Sequence, residues 1–379
     1  MFDYETLRLI WWILLGVLLA GFATTDGFDL GVGFLLPFVA RKDVERRIAI
    51  NTIGPVWEGN QVWIILGAGA IFAAWPIIYA VSFSGFYLAM LLVLAAFILR
   101  PVGFKYRSKL THPSWRKIWD GALFLGGFIP ALIFGLALGN VLQGVPFHFD
   151  DTLRSFYTGS FWGLLNPFAL LCGLTSIALL GMHGSYYLTV KTNREVQRRA
   201  ITASRFFSIS LIVLFTLAGL WVGFKLQGYV LTGNIIYDGP SNPMHDTVMK
   251  MTGAWVSNYR YYPISMLVPG LVYFGATMAL LSSLLRKDKL AFFFSGLSVF
   301  MVVATVGVSM FPFILPSSSM PNQSLTVWNA SSSQTTLSIM LFATVVFMPI
   351  ILVYTAWVYR VLRGKITQET IESDSHTMY

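Results

Sequence analysis

The chain is 379 residues long, 56% hydrophobic and 11% charged, with a mean hydropathy of +0.67, whereas a soluble domain carries about 25% charge. That balance excludes a soluble globular protein and gives an integral membrane protein with many spans. The net charge of +9 reads as a topology signal rather than nucleic-acid affinity, and the single cysteine, Cys172, excludes a disulfide framework or a CxxC metal or redox motif.

Nine apolar segments follow in chain order, near 9–38, 52–78, 81–99, 119–143, 161–189, 204–225, 261–285, 291–315 and 337–359. Each is long enough for a hydrocarbon core of about 30 Å, which needs about 20 residues. Two acids and one base precede the first segment and no small-residue cleavage site follows it, so no signal peptide is expected. No charge occurs from Gln61 to Leu99, so the break between the second and third spans falls between Trp75-Pro76 and Ser84-Gly85.

The basic residues orient the spans. Four lie at 41–47, six from Arg100 to Lys117, five from Lys191 to Arg205, three from Arg286 to Lys289 and three from Arg360 to Lys365, together 21 of the 26 Lys and Arg. Basic loops face the cytoplasm. The expected fold is therefore an all-α, polytopic membrane protein with nine transmembrane helices, the N-terminus outside and the C-terminus cytoplasmic. One membrane domain covers 1–379, with no convincing internal repeat. The outer loops 144–160 and 226–260 are polar and glycine-rich, and the Ser- and Pro-rich stretch from Phe311 to Ser333 reads as a structured loop or re-entrant piece. The tail after Lys365, with His376, reads as solvated.

Inside the first span stands Thr24-Thr25-Asp26-Gly27-Phe28-Asp29-Leu30-Gly31-Val32-Gly33. Asp26 and Asp29 share one helix face, and a carboxylate near the centre of a spanning helix costs roughly 2.5 to 3.5 kcal/mol on insertion scales. That face is expected to point into protein, with the glycines admitting a close neighbour. The second span, read as starting near Asn51, carries Glu58 about 10 Å along at the helical rise, at a depth similar to the two aspartates. Asn60 and Gln61 lie beside it. Together these groups outline an acidic inlet from the cytoplasm. Buried carboxylates in series can pass protons; the competing reading is that they only hold neighbouring helices. Arg100 and Asp120, at the cytoplasmic boundary, are expected to snorkel or to pair with each other.

The five histidines, His112, His148, His183, His245 and His376, show no metal-site spacing, and only His183 lies in a span. No metal site and no haem held wholly by this chain are expected. Trp57 and Trp63 flank Glu58 and could wall a quinone tail or an oxygen path, although spacing alone favours packing.

Several motifs together resemble subunit II of cytochrome bd-type quinol oxidases. They include Asp3-Tyr4-Glu5-Thr6-Leu7-Arg8, Asp26-Gly27-Phe28-Asp29-Leu30-Gly31, Trp57-Glu58-Gly59-Asn60-Gln61-Val62-Trp63, Phe83-Ser84-Gly85-Phe86-Tyr87 and Arg100-Pro101. Gly139-Asn140, Asn166-Pro167-Phe168, Phe311-Pro312-Phe313 and Ser331-Ser332-Ser333-Gln334 extend the resemblance over essentially the whole chain. It implies an electrogenic terminal oxidase of the bacterial inner membrane that oxidises ubiquinol or menaquinol and reduces oxygen to water. The b- and d-type haems would be held mainly by a partner, subunit I, often with a very small third subunit. Lipid and quinone are further implied partners; nucleic acid is not. The resemblance makes Glu58 the acidic position of a W-[DE]-G-N-Q motif in a proton route supported by Asp26 and Asp29, and places Trp63 near an oxygen path. A proton-coupled secondary transporter and a purely structural subunit are the rival readings; the first should show inverted repeats.

Overall fold

The computed structural model describes residues 2–233 and 235–373. Among these residues thirteen α-helices follow in order: α1 (Tyr4–Val39), α2 (Asp43–Ile53), α3 (Trp57–Ala74), α4 (Pro76–Gly85), α5 (Tyr87–Tyr106), α6 (Pro113–Gln143), α7 (Pro167–Lys191), α8 (Arg194–Phe224), α9 (Ser257–Tyr261), α10 (Leu267–Leu284), α11 (Asp288–Met310), α12 (Gln334–Val361) and α13 (Gln368–Ser373). Among the described residues, eight helices are long and apolar enough to cross a membrane: α1, α5, α6, α7, α8, the Pro263–Leu284 unit containing α10, α11 and α12. The chain is thus a helical integral membrane protein. His376 lies outside the described residues.

Local chemistry sets the helix ends. The Asp3 carboxylate accepts from the Thr6 N–H at 2.7 Å and Asn166 accepts from Ala169 at 2.9 Å, each satisfying a donor that the first turn leaves free. Pro76, Pro113 and Pro167 occupy first turns, where a missing N–H costs nothing.

The expected second span, 52–78, is broken at both ends. The helix stops at Ile53 and resumes only at Trp57, because Pro55 has no N–H to continue the ladder. Glu58 therefore stands in the first turn of α3, not about two turns into a helix begun at Asn51. Pro76 ends α3 in the same way, and the short α4 leads into α5. The expected segments near 161–189 and 291–315 are trimmed as well: α7 begins at Pro167, and α11 ends at Met310.

α1 is the axis of the bundle, packed against α3, α6, α7 and α11. Glycines allow this. A Cβ on Gly31 would lie 2.2 Å from the Leu180 carbonyl oxygen of α7, and one on Gly127 of α6 would lie 2.5 Å from the Leu30 carbonyl oxygen. Only hydrogen fits at such approaches.

At one end of the bundle the loops are more ordered than their composition suggested. They form three antiparallel hairpins, β1 (Phe147–Phe149) with β2 (Ser155–Tyr157), β3 (Gln227–Leu231) with β4 (Val248–Thr252), and β5 (Phe313–Leu315) with β6 (Leu325–Thr326). Arg8 gathers two of these loops onto α1. Its buried guanidinium donates to Ser331 Oγ at 2.7 Å, to the Gly239 carbonyl at 2.9 Å, to Ser241 Oγ at 3.1 Å and to the Tyr237 carbonyl.

At the opposite, basic end, α2 is tied down by charge. Glu45 accepts from Arg199 at 2.8 Å and from the backbone N–H groups of Arg41 at 2.7 Å and Lys42 at 3.0 Å. Burial opposes ionisation of Glu45, but these donors prevail and bring its carboxyl down to about 2 from a usual 4.5. A lowered folded-state value gives stability that is complete above the unfolded value and is lost as pH falls from about 4.5 toward 2. Glu45→Gln is therefore expected to flatten the decline in thermal midpoint over that acid window, read by thermal scans of the purified complex at stepped pH. An unchanged acid profile would remove Glu45 from the list of anchoring groups.

Candidate functional site

Two carboxylates of α1 reach into the interior and meet different partners. Asp26 is fully buried and grips Arg100 of α5 through both oxygens, Nη1 to Oδ2 at 2.9 Å and Nη2 to Oδ1 at 2.7 Å. This is the paired-fork geometry that guanidinium and carboxylate favour. Arg100 is itself buried, and its stem crosses Gly126 of α6, where a Cβ would lie 2.8 Å from Arg100 Cγ. Asp29, one turn on, forms no ion pair among the described residues. Its Oδ2 accepts from Asn60 Nδ2 at 2.8 Å, and Asn60 Oδ1 accepts from the Tyr359 hydroxyl at 2.6 Å. The second oxygen, Oδ1, is buried without a hydrogen-bond partner. A line of side chains thus runs Asp29–Asn60–Tyr359, joining α1, α3 and α12.

Arg100 and Asp120 do not pair with each other, contrary to expectation. Asp120 belongs to a second cluster at the basic end. It accepts from Arg107 Nε at 2.5 Å and from Arg46 Nη1 at 2.6 Å, while Arg107 and Arg116 also bind Asp43 at 2.9 and 2.7 Å. The physical reason is helix length. α5 continues through Pro101 to Tyr106, so Arg100 is not a terminal residue free to snorkel but lies inside the bundle, level with Asp26.

Glu58 is not gathered with the two aspartates inside the bundle. It is exposed on the outer face of α3, whereas Trp57, Asn60 and Trp63 of the same helix are buried. The exposed positions Glu58, Val62, Ile65, Gly69 and Phe72 repeat at alternating steps of four and three, one continuous stripe along the helix. A Cβ on Gly59 or Gly69 would meet nothing within 4 Å.

Trp63 packs into the fold, its ring closing over Gly21 of α1, where a Cβ would lie 2.6 Å from it. Trp57 stands 5.7 Å from the Phe104 ring, with the Arg100 guanidinium 6.0 Å from its own ring centre. Trp57 packs beside the Asp26–Arg100 pair and Trp63 against α1. They give no particular support to a quinone wall or an oxygen path.

His183 of α7 ties three helices. Its Nδ1 lies 2.8 Å from Ser295 Oγ of α11 and its Nε2 2.9 Å from the Thr24 carbonyl of α1. A haem iron needs an axial nitrogen or sulfur, and both nitrogens of this ring are engaged within the fold. Among the described residues no cluster of three His, Cys, Asp or Glu could hold a metal ion. The side chains of this site do not fit a haem.

Sequence reasoning found Asp26, Asp29 and Asn60 but missed the true partners of both acids. Tyr359 offered no signal beyond being an aromatic near a span end. Arg107, Arg46 and Asp43 read as ordinary loop charges.

Comparison with known proteins fits this architecture. The family model described as cytochrome bd terminal oxidase subunit II matches residues 7–362. A probable cytochrome oxidase subunit 2 of Haemophilus influenzae is 52% identical over 379 residues, covering all of both chains. The cytochrome bd-I ubiquinol oxidase subunit 2 of Escherichia coli is 48% identical, again over the full length of both. The cytochrome bd ubiquinol oxidase subunit 2 of Bacillus subtilis is 30% identical over 360 residues, 95% of this chain and 97% of its own. A chain of the bd oxidase from Geobacillus thermodenitrificans shares the fold with a TM-score of 0.67 at 11% identity, covering 96% of this chain and 99% of that one. On these matches, and with two buried aspartates at the heart of a polytopic helical bundle, the chain belongs to the cytochrome bd terminal oxidase subunit II family and is a subunit of a quinol:oxygen oxidoreductase.

Proposed function

We propose that this subunit works beside a haem-bearing subunit I, with b- and d-type haems held by that partner and ubiquinol or menaquinol as reductant, and that it helps bring cytoplasmic protons to the reaction. A very small third subunit and a structurally bound quinone are compatible with the exposed apolar faces. The basic clusters favour nine crossings of the bacterial inner membrane, with the N-terminus outside and the C-terminus cytoplasmic, the ninth made by α3 together with α4.

The observation that carries the proton role is Glu58 on an outward apolar stripe. A carboxylate facing hydrocarbon is costly, so this stripe is better suited to a partner surface than to lipid. Glu58 then lies at the seam between subunits, where a file of water and polar groups can pass a proton. Asp26 and Asp29 support the route from behind, since α3 presents Glu58 on one face and Asn60, bonded to Asp29, on the other.

Glu58→Leu is expected to slow quinol-driven oxygen consumption by at least about tenfold, a modest share of what positioned proton transfer contributes, while subunit I still co-purifies and the complex keeps its haem d absorption. Normal turnover in assembled enzyme would favour a purely structural subunit. Loss of subunit I would give Glu58 an assembly role instead.

A further inference from the structure

The interior site holds two carboxylates and one guanidinium. We propose that Asp29 is held as a neutral carboxylic acid beside an ionised Asp26, so that the pair stores one transferable proton, on Asp29. The meaning of this store for turnover rests on the proton-supply reading; the protonation itself does not.

The hydrogen bonds divide the two acids. Both oxygens of Asp26 are taken by Arg100, which leaves that fork no second carboxylate to serve. Asp29 has one donor, the Asn60 amide, and that amide is oriented by its neighbour, because the Tyr359 hydroxyl donates to Asn60 Oδ1 and turns the NH2 toward Asp29. Among the described residues, no other helix donates a hydrogen bond to Asp29. On α7, the Tyr187 hydroxyl is spent on the Thr52 carbonyl at 2.7 Å, and His183 is engaged at both nitrogens. On α6, the facing residues are Gly126 and Gly127, close against Arg100 and against α1.

Asp29 is about 1% exposed. A buried carboxylate with a single neutral donor and an ionised carboxylate one turn away is a costly arrangement. Protonation removes the charge and the repulsion together, and leaves Oδ2 free to keep the Asn60 bond. The extra proton then sits on Oδ1, the oxygen without a partner.

The test is infrared spectroscopy of the purified complex in H2O and D2O, which reads the carbonyl band of a protonated carboxylic acid and its shift on deuteration. In Asp29→Asn one such band should vanish, while co-purification of subunit I falls by less than about twofold, since an amide replaces a neutral group of the same shape. Asp26→Asn should lower assembled complex by more than about tenfold, because Arg100 is left buried and unpaired. Two results would overturn the proposal: the same band surviving in assembled Asp29→Asn, or Asp29→Asn failing to assemble as severely as Asp26→Asn, which would mean that a negative charge is needed there. If the Asp29 band is found while Glu58 variants turn over normally, the stored proton stands and the route through Glu58 falls.

Discussion

Arg100→Met is expected to be among the most damaging single substitutions in this chain, lowering the stability of the purified complex by about 3–5 kcal/mol. Arg100 is 2% exposed and its carboxylate partner, Asp26, is fully buried. Removing the cation strips the buried Asp26 carboxylate of the donor that holds both its oxygens. Arg100→Lys should recover little, since an ammonium cannot fill both limbs of the fork. The informative variant is the double substitution Asp26→Leu with Arg100→Met. Well-packed apolar side chains often replace a buried ion pair at little cost, so the double variant should regain most of what the single one loses, as read by thermal midpoint and by recovery of subunit I. Its turnover then separates two roles. A stable double variant with normal oxygen consumption would make the pair a structural clasp. A stable but slow one would tie the charges to proton supply. If the double variant is no better than Arg100→Met alone, the pair is not the isolated unit described here.

The inward direction of Asp26 and Asp29 was legible because lipid leaves a carboxylate nowhere else to go. Their partners were not. Hydropathy ends a span at the first charge and cannot tell a buried, paired Arg100 from a loop arginine, so the third span reads as ending at Leu99, with Arg100 left to snorkel or to pair with Asp120. The facing of α3 was illegible for a related reason. Both sides of that helix are largely apolar, with Trp57, Trp63, Gly67 and Ala70 inward beside Asn60, and Val62, Ile65 and Phe72 outward, so periodicity gives no sign that Glu58 points away from the aspartates. Pro55 was the visible signal that the helix restarts at Trp57, and weighing it would have corrected the depth of Glu58. The hairpins escaped because strands of two to five residues are too short to show alternation.

Gly31→Ala is the second substitution expected to have a large effect, through backbone rather than charge. Its Cβ would sit 2.2 Å from the Leu180 carbonyl oxygen and 2.9 Å from Gly184 Cα. No rotamer relieves this contact, because the atoms on both sides are main chain. α1 and α7 would have to move apart, and the same separation fixes the His183 bond to the Thr24 carbonyl and the stacking of Phe28 on Tyr187 at 4.0 Å. Overpacking of this kind costs about 1–3 kcal/mol, and the loss of two further contacts pushes Gly31→Ala toward the upper end. Gly184→Ala meets the same backbone from the other side, with its Cβ 2.7 Å from Gly31, and should behave alike. Because both substitutions address one interface, their effects should fall short of additive when combined: once either methyl has spread the helices, the second finds room. Gly219→Ala, where a Cβ meets nothing within 4 Å, is the control and should leave the thermal midpoint unchanged. A Gly31→Ala complex as stable as that control would mean that α1 and α7 do not pack through these glycines, and the placement of Asp29 two residues away would lose its main support.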